Sequence, residues 1–177
     1  MARSDSFFIR ASVVPDDTDT YTTTQIDLGA YVDALGKSVL RIHNIAASVT
    51  AADGTSVLVD AESSASCTWQ LTTQNQPSLV LPANRAVISS GTLTAVNRAL
   101  NGGASTGVPA VYQSSDMLPQ EWTNGYLIAV ESLQLAAQAS AFFAASDNVT
   151  VSLVMECTVE TLSSAAAMAL ALSQQGN

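Results

Sequence analysis

His43 is the only histidine in the chain, so any nucleophile that needs an imidazole base would have to be served by it. It sits in the apolar run Leu40 to Ile45, and no serine and aspartate stand around it in a triad pattern. That is the setting of a hydrogen-bonded strand residue rather than of a catalyst. The sequence Asp16-Asp17-Thr18-Asp19 gathers carboxylates that suit a hard cation such as calcium. It lacks the glycine and the distal glutamate of a calcium-binding helical loop, so it reads as a solvated acidic turn, with Asp16, Asp17 and Asp19 as the candidate metal ligands. Asn101-Gly102-Gly103 lies inside a polar stretch without the lysine of a phosphate loop, and nucleotide binding is not expected. Cys67 and Cys157 fall in the apolar phase of expected strands and are read as buried thiols rather than a disulfide. Asn148-Val149-Thr150 matches a glycosylation acceptor, incidental without a secretory signal. Trp69 is in phase with core residues, whereas Trp122 adjoins a turn and could present an aromatic face to a sugar. No catalytic set, cofactor or enzyme activity is expected.

Composition narrows the partners. The net charge is −9, the only lysine is Lys37, and the arginines stand singly, so the clustered cations that neutralise phosphates are missing. Hydrophobic residues make up 47% of the chain and charged ones 12%, against roughly a quarter charged in an ordinary soluble domain. Hydroxyls fill the gap, as in Thr22-Thr23-Thr24 and Ser63-Ser64. Surfaces that become buried interfaces lose charge and keep apolar area, so this composition favours a protein covered by neighbours. The amino terminus runs from Met1 to Phe7 without an apolar leader, and the protein is expected to be made in a cytoplasm. No stretch reaches the ~20 apolar residues of a transmembrane helix.

The elements that must carry these residues read as short strands separated by turns. Val149, Val151, Leu153, Met155, Cys157 and Val159 alternate with Thr150, Ser152, Val154, Glu156 and Thr158, the period of a half-buried strand. Cys67, Trp69 and Leu71 alternate in the same way. Leu40 and Ile42 open a run whose phase has shifted by Ile45, Ala47 and Val49, which predicts a bulge. Phe7 to Val14 predicts a first strand stopped by Pro15. Asp53-Gly54 and Asn124-Gly125 predict tight hairpin turns. Leu100 to Ser115 predicts a long polar loop and the main interaction loop. Asp27 to Leu35 predicts a turn or a very short helix, and Ser132 to Ala145 a segment that is mainly strand. Beyond Glu160 the period changes: Thr161 can cap a helix from Leu162 to Ser173, with Leu162, Ala165, Ala166, Ala169 and Leu172 returning every three or four residues. The expected fold is all-β, an antiparallel jelly-roll-like β-sandwich of about eight strands over residues 1–160, followed by a short C-terminal α-helix and tail over 161–177.

With short strands, long polar connections, hydroxyl-rich surfaces and no catalytic constellation, the chain resembles the single jelly-roll capsid proteins of small icosahedral viruses. The resemblance covers nearly the whole chain at the level of architecture and rests on no diagnostic motif. It implies a virion component that forms homo-oligomeric capsomers and a shell, alone or with a second coat protein. It implies assembly contacts at Leu162, Ala166, Ala169 and Leu172 of the helix and at Asn101 and Tyr112 of the polar loop. Capsid proteins that touch a packaged genome commonly carry a basic amino-terminal arm, whereas Met1 to Ser6 holds one arginine; direct nucleic-acid binding is therefore not implied. From other classes, the residues also allow a carbohydrate-binding or adhesion sandwich presenting Trp122 or the Tyr112 loop, and an extracellular filament subunit.

Overall fold

A computed structural model of the chain describes residues 4–15, 19–33, 37–60, 63–97, 110–140, 143 and 149–175. The strands are β1 (Phe7–Val13), β2 (Thr22–Asp27), β3 (Ser38–Ala51), β4 (Ser63–Thr72), β5 (Val87–Asn97), β6 (Ala110–Met117), β7 (Tyr126–Ile128), β8 (Ser132–Ala139) and β9 (Val149–Thr161). A 3₁₀ turn, Pro119–Glu121, precedes β7, and one helix, α1 (Ser164–Gln175), follows β9. The strands form two antiparallel sheets, β1-β9-β3-β7 and β2-β8-β4-β5-β6. Setting β6 aside, the pairs β1·β9, β2·β8, β3·β7 and β4·β5 nest inside one another like the arms of a single long hairpin wound over itself into two layers. The expected all-β, jelly-roll-like sandwich with a short C-terminal helix is the observed fold. No helix among the described residues is long and apolar enough to cross a membrane.

The core lies between the sheets. In β9 the residues from Val149 to Cys157 alternate between buried and half-buried, because a pleated strand turns successive side chains to opposite faces and only one face meets the other sheet. Its inward residues meet Trp69, Leu71, Leu133 and Leu135 of the second sheet in one cluster, with Trp69 wholly enclosed. The predicted bulge in β3 falls between Ile42 and Asn44, leaving His43 as the extra residue. This is what allows Leu40, Ile42, Ile45 and Val49 all to reach the core despite their broken spacing.

Several expectations change in detail. Ala110–Met117, within and beyond the expected polar loop, is edge strand β6, paired along β5. Its sequence shows no apolar alternation because Val111 and Tyr112 are both exposed; the ladder to β5 holds it extended. Residues 100–109 of the expected loop, Asn101 among them, lie outside the described residues. Gly54 and Gly125 do adopt positive φ, at 85° and 60°. Neither dipeptide joins a strand hairpin, however: the first leads to an isolated bridge at Val59, and the second links the 3₁₀ turn to β7. Among the described residues of the Asp27 to Leu35 segment, the Tyr31 and Val32 N–H groups close a turn on the Leu28 carbonyl, in keeping with the turn alternative. The helix cap is Ser163 rather than Thr161, which remains in β9; the Ser163 hydroxyl accepts from the Ala166 N–H at 3.3 Å.

Candidate assembly surfaces

Helix α1 packs on the outer face of the first sheet. Ala167 and Ala171 are buried on Val39 of β3 and Ala129 just beyond β7, with Leu162 and Leu170 half-buried beside them. Small side chains let the helix lie close to the strands. Its far end is tied down by one residue: the Gln174 side-chain oxygen accepts from the Ala129 N–H at 2.9 Å, and its Nε2 donates to the Leu127 carbonyl at 2.7 Å. The Thr73 hydroxyl and the Gln74 amide both donate to the Gln174 main-chain carbonyl.

With that face occupied, a second apolar stripe is left facing solvent. Ala165, Met168, Ala169 and Leu172, spaced i, i+3, i+4 and i+7, lie on one side of the helix, opposite Ala167 and Ala171. All four are exposed, Leu172 at 64% and Met168 at 47%. Of the helical residues expected to make contacts, Leu162 therefore packs on its own sandwich, whereas Ala166, Ala169 and Leu172 are exposed. Met168 was missed because the alanine-rich sequence offers apolar residues nearly all round the helix. Tyr112 is 68% exposed on edge strand β6, beside exposed Val111.

The residues considered for chemistry have structural partners. His43 Nε2 lies 2.9 Å from the Thr158 hydroxyl of β9, which fits the reading of a hydrogen-bonded strand residue. Asp19 holds Gln138, whose Nε2 donates to its carboxylate and to its carbonyl, both at 3.0 Å. Asp16 and Asp17 lie outside the described residues. Trp122 is 39% exposed and packs at a tilt on Tyr126, ring centroids 5.7 Å apart.

Cys67 and Cys157 are both free and fully buried, as expected. Burial disfavours the thiolates and pushes both thiols up to about 12. An unfolded cysteine ionises near pH ~8.5, so above that pH the unfolded chain releases protons that the folded chain keeps. The contribution of the two thiols to stability should be constant below pH ~8 and then fall by about 1.4 kcal/mol per pH unit for each thiol. Urea titrations from pH 7 to 10 check this, and Cys67→Ala/Cys157→Ala should flatten the fall.

Sequence reasoning also missed an ion pair. Arg41 of β3 and Glu160 of β9 form a two-pronged bridge, Nε to Oε1 at 2.7 Å and Nη2 to Oε2 at 2.8 Å, with side chains only 16% and 9% exposed. The hydrogen bond to Glu160 raises the Arg41 pKa further, and Nη1 donates to the Asn124 carbonyl in the turn before β7. A lone arginine between Leu40 and Ile42 was its sole sequence signal. No family model matches the chain, and no curated protein is significantly similar to it.

Proposed function

We propose that this chain is a structural subunit that assembles with copies of itself into a closed shell, the role of a viral capsid protein, and that it acts without catalysis. The observation that carries the reading is the second apolar stripe on α1. A helix already anchored by Ala167, Ala171 and Gln174 has no need, for its own folding, of Met168 and Leu172 in water. Such a stripe gains by burial against a neighbour, and the low-charge, hydroxyl-rich composition lowers the desolvation cost of covering the surrounding surface. The nested winding of the sandwich is the arrangement that capsid jelly rolls share, which supports the reading as an analogy of fold. In this role the virion is the site of action, the sandwich supplies rigidity, and α1 and the exposed Tyr112 strand supply contacts. Weak contacts repeated with symmetry close the shell, alone or with a second coat protein.

Met168→Glu/Leu172→Glu tests the contact. Both side chains point away from the sandwich, so the melting temperature should stay within a few degrees of the parent. Sedimentation should show the large species replaced by single subunits or small oligomers. Unchanged particles would remove α1 from the contact. The rival reading as a sugar-binding module draws on the exposed Trp122 beside Tyr126, and it predicts a monomer whose tryptophan fluorescence is quenched by saccharides.

A further inference from the structure

The sandwich has two open sides, and they are finished differently. On the side of β3 and β7, glutamine amides occupy main-chain groups of those two strands that would otherwise point outward. Gln120 accepts from the Ile45 N–H at 3.1 Å and donates to the Ile45 carbonyl at 2.9 Å, continuing past the point where β7 stops pairing. Gln113 donates to the Ala47 carbonyl at 3.0 Å, and Gln174 serves Leu127 and Ala129 with α1 alongside. On the opposite side β1 and β2 end their sheets, and an open groove of about 830 Å³ runs between them, lined by Ile9, Ala11, Thr24, Ile26 and Leu153. Natural edges are guarded by charged side chains, lysine above all, by proline or by a bulge. The β2 sequence, Thr-Thr-Thr-Gln-Ile-Asp, has no lysine, proline or bulge and carries a single charge, Asp27, at its end, and its β-branched residues favour extended chain.

We propose that β2 pairs edge to edge with β2 of a second copy, antiparallel about a two-fold axis at Gln25. This rests on the self-assembly reading and names the partner at this edge. The register follows from the inner pairing. The Leu28 N–H donates to the Glu131 carbonyl at 2.8 Å, one step beyond the pair Asp27↔Ser132. In an antiparallel ladder hydrogen-bonded pairs alternate. Thr22, Thr24 and Ile26 therefore exchange bonds with β8, while Thr23, Gln25 and Asp27 turn their main-chain groups toward the open edge. Two copies can zip only through these odd-numbered residues. Centred on Gln25, the pairing sets Thr23 opposite Asp27 of the second copy, Thr24 opposite its Ile26, and Gln25 opposite its own equivalent. A hydroxyl meets a carboxylate, an amide meets an amide, and no like charges are opposed. The contact is isologous and closes at two copies, joining two five-stranded sheets into one. The incoming strand also lies along the groove wall formed by Ile9 and Ala11.

Cross-linking tests the register. Across a hydrogen-bonded antiparallel pair the Cα atoms lie about 5.5 Å apart, within disulfide range. Because Cys67 and Cys157 are buried, Gln25→Cys adds the one thiol that reaches this edge. Mild oxidation should convert most of this variant to a covalent dimer, while Thr94→Cys, exposed on β5, should not. Gln25→Lys sets like charges across the axis and should weaken the dimer about tenfold at low salt. At a concentration where both proteins are monomeric its melting temperature should match that of the parent, since Gln25 is exposed. Cross-linking of Gln25→Cys no greater than that of Thr94→Cys, or dimers unaffected by Gln25→Lys, would overturn the pairing. Particles that survive Gln25→Lys but dissolve in the α1 variant would also overturn it and leave the shell intact. Dimers sensitive to Gln25→Lys with nothing larger would uphold the pairing and remove the shell.

Discussion

Replacing Arg41 with alanine is expected to lower the unfolding free energy by about 3–5 kcal/mol, among the largest effects of any single change outside the core. The reason lies in what remains behind. Glu160 is 7% exposed and receives both prongs of the guanidinium. Without them its carboxylate stays in a place from which water is largely excluded and loses the two charged hydrogen bonds that offset its desolvation. The loss also frees the turn before β7, because Arg41 donates to the Asn124 carbonyl. Arg41→Met/Glu160→Met removes both charges while keeping much of the volume, and should recover most of the loss. Urea unfolding of Arg41→Met, Glu160→Met and the pair measures this as a cycle. Single variants within 1 kcal/mol of the parent would mean that the pair is solvated like an ordinary surface bridge.

Gly91→Ala is expected to cost about 2–3 kcal/mol or more, although it adds only a methyl group to a strand. A Cβ at Gly91 would lie 2.6 Å from the Ser114 carbonyl oxygen of β6 and 2.8 Å from the Trp69 indole nitrogen. The first neighbour is backbone held in the β5·β6 ladder, and the second belongs to a wholly buried ring. Neither can withdraw without opening a pair or vacating packed space. Gly54→Ala makes the comparison: its φ of 85° is strained for alanine, but a Cβ there meets nothing within 4 Å. That variant should lose about 1 kcal/mol from the backbone alone. Thermal melts of both variants rank the two causes, and the Gly91 variant should also show altered tryptophan fluorescence as Trp69 is displaced.

The parts of the fold legible in the sequence were those in which one face is buried and the other is wet. The strict alternation of β9 declared a strand, and the slipped phase between Ile42 and Ile45 declared the bulge at His43. Strand β6 gave no such signal, because its successive apolar residues Val111 and Tyr112 are both exposed and so print no period of two. Helix α1 was legible as a helix, but not in its orientation. With alanine, leucine and methionine nearly all round, the packed side is selected by Val39, Ala129 and the Gln174 bonds, none of which is local to it. Pairs such as Arg41 and Glu160, 119 residues apart, and the glutamine amides that close β3 and β7 depend on the finished topology.

The most direct test of the central claim is the mass of the purified full chain by light scattering over a range of salt. Large closed particles or discrete capsomer-sized oligomers are expected, strengthened or unchanged by salt because their contacts are apolar and carry little charge. A monomer of 18.3 kDa under every condition would contradict self-assembly.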